Sequence, residues 1–283
     1  MKWGFPYRKK ETPASLRQKA EEIIMQVLSM TPKATSSLRA GEHNLNRKGE
    51  TGEFRQFKDY HSDDRPQDID WKRSARSDQI FVREREMRNS LPLKIFISPG
   101  ISLDFRSSNS LPTKYEACAI LALAFSLEVE KTHDPIQFNG YSIQADDLGH
   151  FLLATPLQPA VLKETSSSDI AVIIGDFLEG DIDSDIFHLV AKSRRVVLLH
   201  CYDPAERSLP FKGRISFSHA HNISVTINDV VAIRDAYLEH ITEHQAKLRN
   251  FAETRGWFYR IFDTSEALGP VFMEAKLYLG DSR

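Results

Sequence analysis

The short pattern with the clearest chemical potential is His240, Glu243 and His244, which spell H-x-x-E-H. In a helix these side chains share a face, so both imidazoles could bind zinc while Glu243 acted as general base on a bound water. Such a site needs a third protein ligand, and none follows convincingly in the sequence. His244 also falls on an apolar helical stripe with Ile241 and Leu248, which predicts that it lines the packed side of its helix and His240 the polar margin. A zinc metallohydrolase is therefore an alternative function.

Four carboxylates lie near one another in a polar stretch: Asp63, Asp64, Asp68 and Asp70. Hard cations favour several carboxylate oxygens, so this cluster could hold a metal ion. Basic side chains alternate with the acids, at Arg65, Lys72, Arg73 and Arg76, and mutual neutralisation in a salt-bridged loop accounts for the pattern better. We expect the neighbouring Trp71 to be a packing anchor rather than a stacking platform.

The hydrophobic pattern predicts the elements that would position these groups. Apolar residues at helical spacing follow Thr12 and Pro13, and Thr31 and Pro32 end this predicted helix. Further helices are predicted at 114–130, 185–193, 230–254 and 265–279, the first of them apolar around most of its girth. The predicted strands are 93–98, 136–143, 169–176, 195–203 and 257–262.

Apolar strands that alternate with helices indicate right-handed βαβ units. We therefore predict an α/β fold, a doubly wound and mainly parallel sheet of the Rossmann type with helices on both faces. Residues 33–78 are polar and dense in charges of both signs, which predicts a long irregular segment rather than a second core. Together with the first helix, this segment would form an N-terminal helical and irregular extension.

Composition and charge narrow the class of protein. The 283 residues are 41% hydrophobic and 27% charged, with a formal net charge of -2, so nothing favours general nucleic-acid binding. The two cysteines, Cys118 and Cys201, form no CxxC pair, which favours a reducing compartment. No apolar run approaches the ~20 residues of a spanning helix, so we expect a cytoplasmic protein without membrane insertion. Phosphate-binding glycine motifs are also missing, so no nucleotide cofactor is indicated.

The segment from Gly41 to Glu86 resembles the signature of the family called domain of unknown function 58. The matching residues are Gly52, Glu53, Phe54, Tyr60, Asp64, Pro66, Ile69, Asp70, Trp71, Ser74, Ala75, Arg76, Val82, Arg83 and Glu84. Two positions depart from the pattern, because Asp63 replaces a glycine and Gln67 an arginine. The similarity continues through 203–217 and the closing segment, and so covers nearly the whole chain.

This resemblance implies a von Willebrand factor A-like domain at 88–283 with an N-terminal extension at 1–87 that carries the signature. It also implies a role in partner binding or assembly beside MoxR-type AAA+ ATPases. The signature residues that would form the partner surface are Glu53, Phe54, Tyr60, Asp64, Asp70, Trp71 and Arg76. We therefore expect a non-catalytic interaction module whose protein partner is a MoxR-type ATPase.

The resemblance further implies a metal-ion-dependent adhesion site, built on Asp-x-Ser-x-Ser after the first strand of the sheet. Here Ser98 stands for the aspartate and Gly100 for the first serine, and only Ser102 keeps its type. Asp176, at the end of another strand, could be the later carboxylate of the family's site, and either Thr155 or Thr165 its threonine. With one carboxylate instead of two, the electrostatic attraction for Mg²⁺ falls by several kcal/mol at an effective dielectric constant of about 20.

We therefore expect a degenerate site with no cofactor, or weak Mg²⁺ binding at most. Metal-dependent ligand binding at Ser102 and Asp176 is the third functional class that the sequence leaves open.

Overall fold

The computed structural model describes residues 2–3, 11–30, 54–61, 66, 69–77, 79–85, 93–98, 100–130, 136–154, 169–178, 185–218 and 224–280. The chain divides into two compact units. The larger contains Met1–Arg39 and Leu91–Arg283, and the smaller is Ala40–Ser90.

The larger unit begins with β1 (Lys2–Trp3) and α1 (Pro13–Met30), and the smaller contains β2 (Phe54–Asp59), α2 (Trp71–Ser74) and β3 (Phe81–Arg85). The larger unit continues with β4 (Leu93–Ile97), α3 (Lys114–Glu130), β5 (Ile136–Phe138), β6 (Tyr141–Ser142), α4 (Ala145–Ala154), β7 (Ile170–Gly175) and α5 (Asp185–Val190). It ends with β8 (Arg195–Tyr202), α6 (Pro204–Ser208), β9 (Ile215–Ser218), β10 (Ser224–Ile227), α7 (Val230–Glu253), β11 (Phe258–Asp263) and α8 (Leu268–Gly280).

Six strands form the central sheet in the order β6-β5-β4-β7-β8-β11. All neighbours are parallel except β5 and β6, and the register pairs Leu93 with both Ile136 and Ile170. The strand order reverses direction between β4 and β7, so the topological switch point lies at the carboxyl ends of these two strands. The predicted doubly wound, mainly parallel α/β fold is confirmed.

Helices cover both faces of this sheet. On one face α3 packs on the sheet, and α1, α4 and α8 pack on α3. This double covering explains why α3 is apolar around most of its girth and buried along nearly its whole length. On the opposite face the core joins the sheet residues Phe96, Ile173 and Leu198 to Phe187 of α5 and Leu248 of α7.

Two predicted segments differ from the structure in the kind of element that they form. The predicted strand at 136–143 is the hairpin β5–β6, because Asn139 and Gly140 both take positive φ, at 46° and 84°, in the tight turn between its strands. Residues 33–78 are not irregular throughout, since β2 pairs antiparallel with β3 and α2 lies between these strands in sequence. The alternation in β2 is short and broken by a bulge at Phe54 and Gln56, which weakens the strand signal.

A smaller sheet joins three short strands of the larger unit. Its order is β1-β9-β10, with β1 parallel and β10 antiparallel to β9. Among the described helices, none has both the length and the apolar character that crossing a membrane requires.

Candidate functional site

The carboxyl ends of β4 and β7 meet closely at the switch point. Ser98 directly follows β4, and its backbone N–H donates a hydrogen bond to the carbonyl of Ile174 at 2.9 Å. A Cβ added to Gly175 would lie 2.5 Å from the Cβ of Ser98, so only glycine fits at the last residue of β7. Asp176 follows at once and is buried. The structure therefore brings the sequence-predicted Ser98 and Asp176 to one edge.

A lysine that sequence reasoning missed is the cation at this edge. The Nζ atom of Lys114 lies 2.8 Å from Oδ2 of Asp176 and 2.6 Å from Oε1 of Glu206. The Lys114 side chain has no exposed surface. Since an ammonium carries three donors and no acceptor, two of its three N–H groups point to carboxylates here.

Lys114 is held by the way α3 begins. Thr113 and Glu116 form a reciprocal cap, in which the Glu116 amide donates to Oγ1 of Thr113 at 3.0 Å and the Thr113 amide donates to Oε2 of Glu116 at 2.8 Å. This cap fixes Lys114 as the first residue of the helix. A cation there opposes the helix dipole, whose positive end lies at the N-terminus, so the two carboxylates must offset this cost as well as that of burial.

Glu206 is held by a second reciprocal cap. Its Oε2 accepts from the Asp203 amide at 2.8 Å, while Oδ1 of Asp203 accepts from the Ala205 amide at 2.8 Å. The other oxygen of Asp203, Oδ2, accepts from the Ser107 amide at 2.8 Å and so joins α6 to the loop before α3. The carboxylate of Glu206 thus completes the cap of α6 with one oxygen and binds Lys114 with the other.

The charges of this cluster shift two pKa values. Burial by itself lowers the pKa of Lys114, but the carboxylates of Glu206 and Asp176 outweigh burial and raise it above its ordinary value. Burial raises the pKa of Glu206, and the neighbouring Lys114 offsets only part of that rise. The ammonium is therefore charged at neutral pH and is neither a base nor a nucleophile.

The residues at this edge do not fit the divalent cation that the family resemblance implies. Asp176 gives one carboxylate oxygen to a buried ammonium, and a dication bound to the same carboxylate would lie against a like charge. Gly100 carries no ligand atom on its side chain, and Ser102 lies beyond it in a 3-10 turn at Ile101–Asp104. Thr155 and Thr165 lie outside the described residues.

The H-x-x-E-H motif lies on α7, at the opposite face of the sheet. His240 and Glu243 are exposed, whereas His244 is half-buried, and its ring centroid is 5.9 Å from that of His200 in β8. The predicted placement of His244 on the packed side and of His240 at the margin is confirmed. Within the described part of the chain, no group of three or more His, Cys, Asp or Glu side chains could hold a metal ion.

A cavity of about 10 Å³ separates α7 from the edge of the sheet. It has room for one water molecule at most. Its lining includes Asp176, His200, Tyr202, Glu206, Ile241 and His244.

Burial is the main cause of the pKa shifts around this cavity. It lowers the pKa of His200 to about 3, and the neighbouring His244 adds to the effect. Burial also lowers the pKa of His244, with His240 as the next cause. Both imidazoles are neutral at pH 7.

His200 and Cys201 point to opposite faces of the sheet, as the strand pattern predicts. Nδ1 of His200 lies 2.9 Å from the Tyr259 hydroxyl, whereas the Cys201 thiol is hydrogen-bonded to Cys118 of α3. Burial raises the pKa of Cys201 well above its ordinary value, and the bond to Cys118 raises it further. The Cys201 thiol is therefore protonated and unreactive.

The signature residues lie in the smaller unit. Phe54 begins β2, and the Tyr60 amide donates to the carbonyl of Ile80 at 2.8 Å. Asp70 is buried and caps α2, whereas Arg76 is exposed after this helix. Glu53 and Asp64 lie outside the described residues, as do Asp63 and Asp68 of the acidic cluster.

The expectation that Trp71 is a packing anchor is wrong. Its side chain is 65% exposed at the first residue of α2. The buried carboxylate of Asp70 and the hydroxyl of Ser74 instead make the hydrogen bonds that position this turn.

Two sequence signals could have identified the helix starts that hold the residues of the buried ion cluster. Thr113-Lys-Tyr-Glu116 and Asp203-Pro-Ala-Glu206 both have the spacing of a reciprocal helix cap. These patterns place the starts of α3 and α6 but say nothing of their proximity, which depends on the sheet between them.

Comparison with known proteins gives one family. No curated protein and no solved structure matches the chain. The family model described as "Protein of unknown function DUF58" matches residues 56–142 and 158–247, which together are more than half of the sequence. The chain therefore belongs to the DUF58 family.

Proposed function

We propose that this protein is a non-catalytic interaction or assembly module that works with a MoxR-type AAA+ ATPase, and that its adhesion-site edge needs no metal. One observation carries the proposal: the fully buried ammonium of Lys114 lies between Asp176 and Glu206. In the family's metal-dependent sites a dication would coordinate a partner's carboxylate. Here the resident cation is covalently part of the chain and has no exposed surface.

The chemistry of the buried groups supports a role without catalysis. The ammonium of Lys114, the thiol of Cys201 and the imidazole of His200 are all potential reactive groups. The shifted pKa of each favours its unreactive or structural form at neutral pH, because Lys114 and Cys201 keep their protons and His200 remains neutral while bonded to Tyr259. The adjoining cavity of about 10 Å³ is too small for a substrate.

The partner follows from the family resemblance alone. MoxR-type ATPases commonly accompany proteins with this signature, and an interaction module is the simplest companion for a remodelling ATPase.

Calorimetry with Mg²⁺ tests the metal-independent edge. We expect no binding at sub-millimolar concentrations of Mg²⁺ or Mn²⁺, because Lys114 repels a second cation at Asp176. Sub-millimolar affinity that disappears in Asp176→Ala would overturn this part of the proposal. Elemental analysis of the same sample serves as a second check, since stoichiometric zinc that is lost in His244→Ala would favour the metallohydrolase.

A pull-down with a purified MoxR-type ATPase from the same organism tests the partner. We expect the two proteins to associate, and we expect the nucleotide-free complex to withstand EDTA. Absence of association both with and without ATP would refute the partner assignment. Loss of the nucleotide-free complex in EDTA would refute the metal-independent edge.

A further inference from the structure

Buried contacts hold the turn at α2 in one conformation. The Asp70 carboxylate accepts a hydrogen bond from the Arg73 amide at 3.0 Å. The Ser74 hydroxyl donates to the carbonyl of Asp70 at 2.8 Å and accepts from the Phe81 amide at 2.9 Å. The Asp70 amide also donates to the carbonyl of Phe81 at 2.8 Å. These bonds join α2 to β3, and none of them involves the side chain of Trp71.

The Arg73 guanidinium adds an aromatic contact to this turn. It lies 4.3 Å from the ring centroid of Phe57 in β2 and 5.2 Å from that of Phe81 in β3. Arg73 therefore ties α2 to both strands of the hairpin. Asp70, Arg73 and Ser74 therefore fix the base of the turn.

Three outward residues form what we call the Trp71 platform: Trp71, Lys72 and Arg76. The indole is 65% exposed, and both cations are exposed as well. A tryptophan stabilises a fold mainly through the apolar area that it buries. Because Trp71 leaves most of its surface exposed, it contributes little to folding. Trp and Arg are the residues most enriched among those that dominate protein interfaces.

The charge of the segment defines the partner that fits it. Residues 71–77 read WKRSARS, with three cations and no carboxylate. The positive charge is local, because Ala40–Ser90 as a whole holds eleven Lys and Arg against eleven Asp and Glu. So small a patch releases few counterions from a nucleic-acid backbone, whereas it matches an acidic protein surface with an apolar recess for the indole.

We propose that the Trp71 platform is the primary protein-docking surface of this chain and that its occupant is an acidic protein surface. This inference rests on the proposed interaction function and deepens it by naming the contact residues and the chemistry of the partner. It does not depend on the partner being a MoxR-type ATPase.

Site-specific photo-crosslinking in the full chain tests this inference. Benzoylphenylalanine replaces Trp71 in one sample and the similarly exposed Val225 of β10 in the control. Each protein that crosslinks at position 71 is identified by mass spectrometry, purified and measured for binding to the wild-type chain. We expect an acidic protein to crosslink at position 71 and not at position 225.

Charge reversal then decides whether the captured contact uses the platform. We expect Lys72→Glu/Arg76→Glu to weaken binding of the captured protein at least tenfold, and Trp71→Ala to do the same. The control Lys212→Glu/Arg214→Glu changes two exposed cations elsewhere and should stay within twofold of wild type. If the captured protein is not a MoxR-type ATPase, the docking surface stands, and the pull-down described above decides the partner assignment.

Four results would overturn the docking surface. These are no protein crosslink at position 71, a crosslink only within the same chain, a crosslink to nucleic acid, and binding that the platform variants leave within twofold of wild type.

Discussion

At the residue scale, the main feature is the buried lysine at the carboxyl edge of the central sheet. Breaking a buried ion pair by removing one partner leaves an uncompensated charge. Lys114 serves two carboxylates, so its loss leaves Asp176 and Glu206 facing each other without a counter-ion.

Lys114→Ala should lower the free energy of unfolding by about 3–5 kcal/mol, the usual effect of breaking a buried pair. Because the substitution also opens space between two carboxylates, we expect Mg²⁺ to raise the thermal midpoint of this variant but not of the wild type. Thermal unfolding with and without Mg²⁺ at about 10 mM measures both the loss of stability and its rescue by the metal.

Lys276→Ala is the matched control for this experiment. Lys276 also forms a buried pair, at 2.7 Å from Glu128, but faces only that carboxylate among the described contacts. We expect it to lose stability without rescue by Mg²⁺. Equal rescue of both variants would show that the metal effect has nothing to do with the edge of the sheet.

Buried His200 makes stability depend on pH. Its pKa is about 3 in the folded protein, against ~6.5 in an unfolded chain. Between these values the unfolded state binds more protons, so stability is complete above ~6.5 and falls as the pH falls towards the folded pKa. We expect the free energy of unfolding to drop by about 2 kcal/mol from pH 7 to pH 5 from this group alone.

Urea unfolding of wild type and His200→Gln at pH 7 and pH 5 measures this dependence. The variant should lose less stability on acidification than the wild type. Some dependence should remain, because the pKa of His244 is lowered in the same direction. An identical pH dependence in the two proteins would contradict the neutral buried state of His200.

At the scale of elements, the close approach of β4 and β7 determines the geometry of the edge. The ladder pairs Ile97 with Ile174, and the next residues of the two strands are Ser98 and Gly175. Because these positions have no room for a second Cβ, the separation of the strands depends on this one glycine.

Gly175→Ala should destabilise the protein by about 1–3 kcal/mol, since the new methyl group would lie against the side chain of Ser98. Ser98→Gly in the same chain should restore part of this loss by removing the clashing Cβ. A double-mutant cycle by urea unfolding measures the coupling. Additive effects would mean that the two residues do not meet at the edge of the sheet.

At the scale of the whole molecule, the first helix is part of the core of the larger unit. Leu16, Ala20, Ile23, Ile24 and Val27 form its buried stripe. This stripe packs on α3, whose opposite side packs on the sheet. The apolar character of α3 therefore requires α1 as a cover.

A chain that begins at residue 88 should self-associate and unfold at lower temperature, because it exposes the side of α3 that α1 covers. Each large apolar side chain of the stripe contributes about 1.5–3 kcal/mol by burial, against a typical total stability of about 5–15 kcal/mol. Size-exclusion chromatography and thermal unfolding of this fragment and the full chain measure the difference.

Two point variants distinguish the effect of α1 packing on stability from the effect of shortening the chain. Leu16→Ala should cost about 2–5 kcal/mol because Leu16 is buried, and Met25→Ala on the exposed side of α1 should cost almost nothing. A monomeric fragment as stable as the full chain would refute the covering role of α1.

The sequence by itself determined most of the succession of buried strands and helices, because hydrophobic periodicity is local. It did not indicate α4 or the turn that divides 136–143 into β5 and β6. It determined in this way the α/β class, the bounds of α3, and the opposite directions of His200 and Cys201. It also indicated that Asp176 ends a strand at the edge where Ser98 lies.

Only the tertiary structure decided what neutralises that edge. Lys114 is 62 positions from Asp176 and 92 from Glu206 in the chain, and no local pattern relates them. Their meeting depends on the strand order, which brings the ends of β7 and β8 beneath the start of α3. The exposure of Trp71 could not be predicted from the sequence either, since a large aromatic residue has the same local pattern whether it is buried or exposed in the fold.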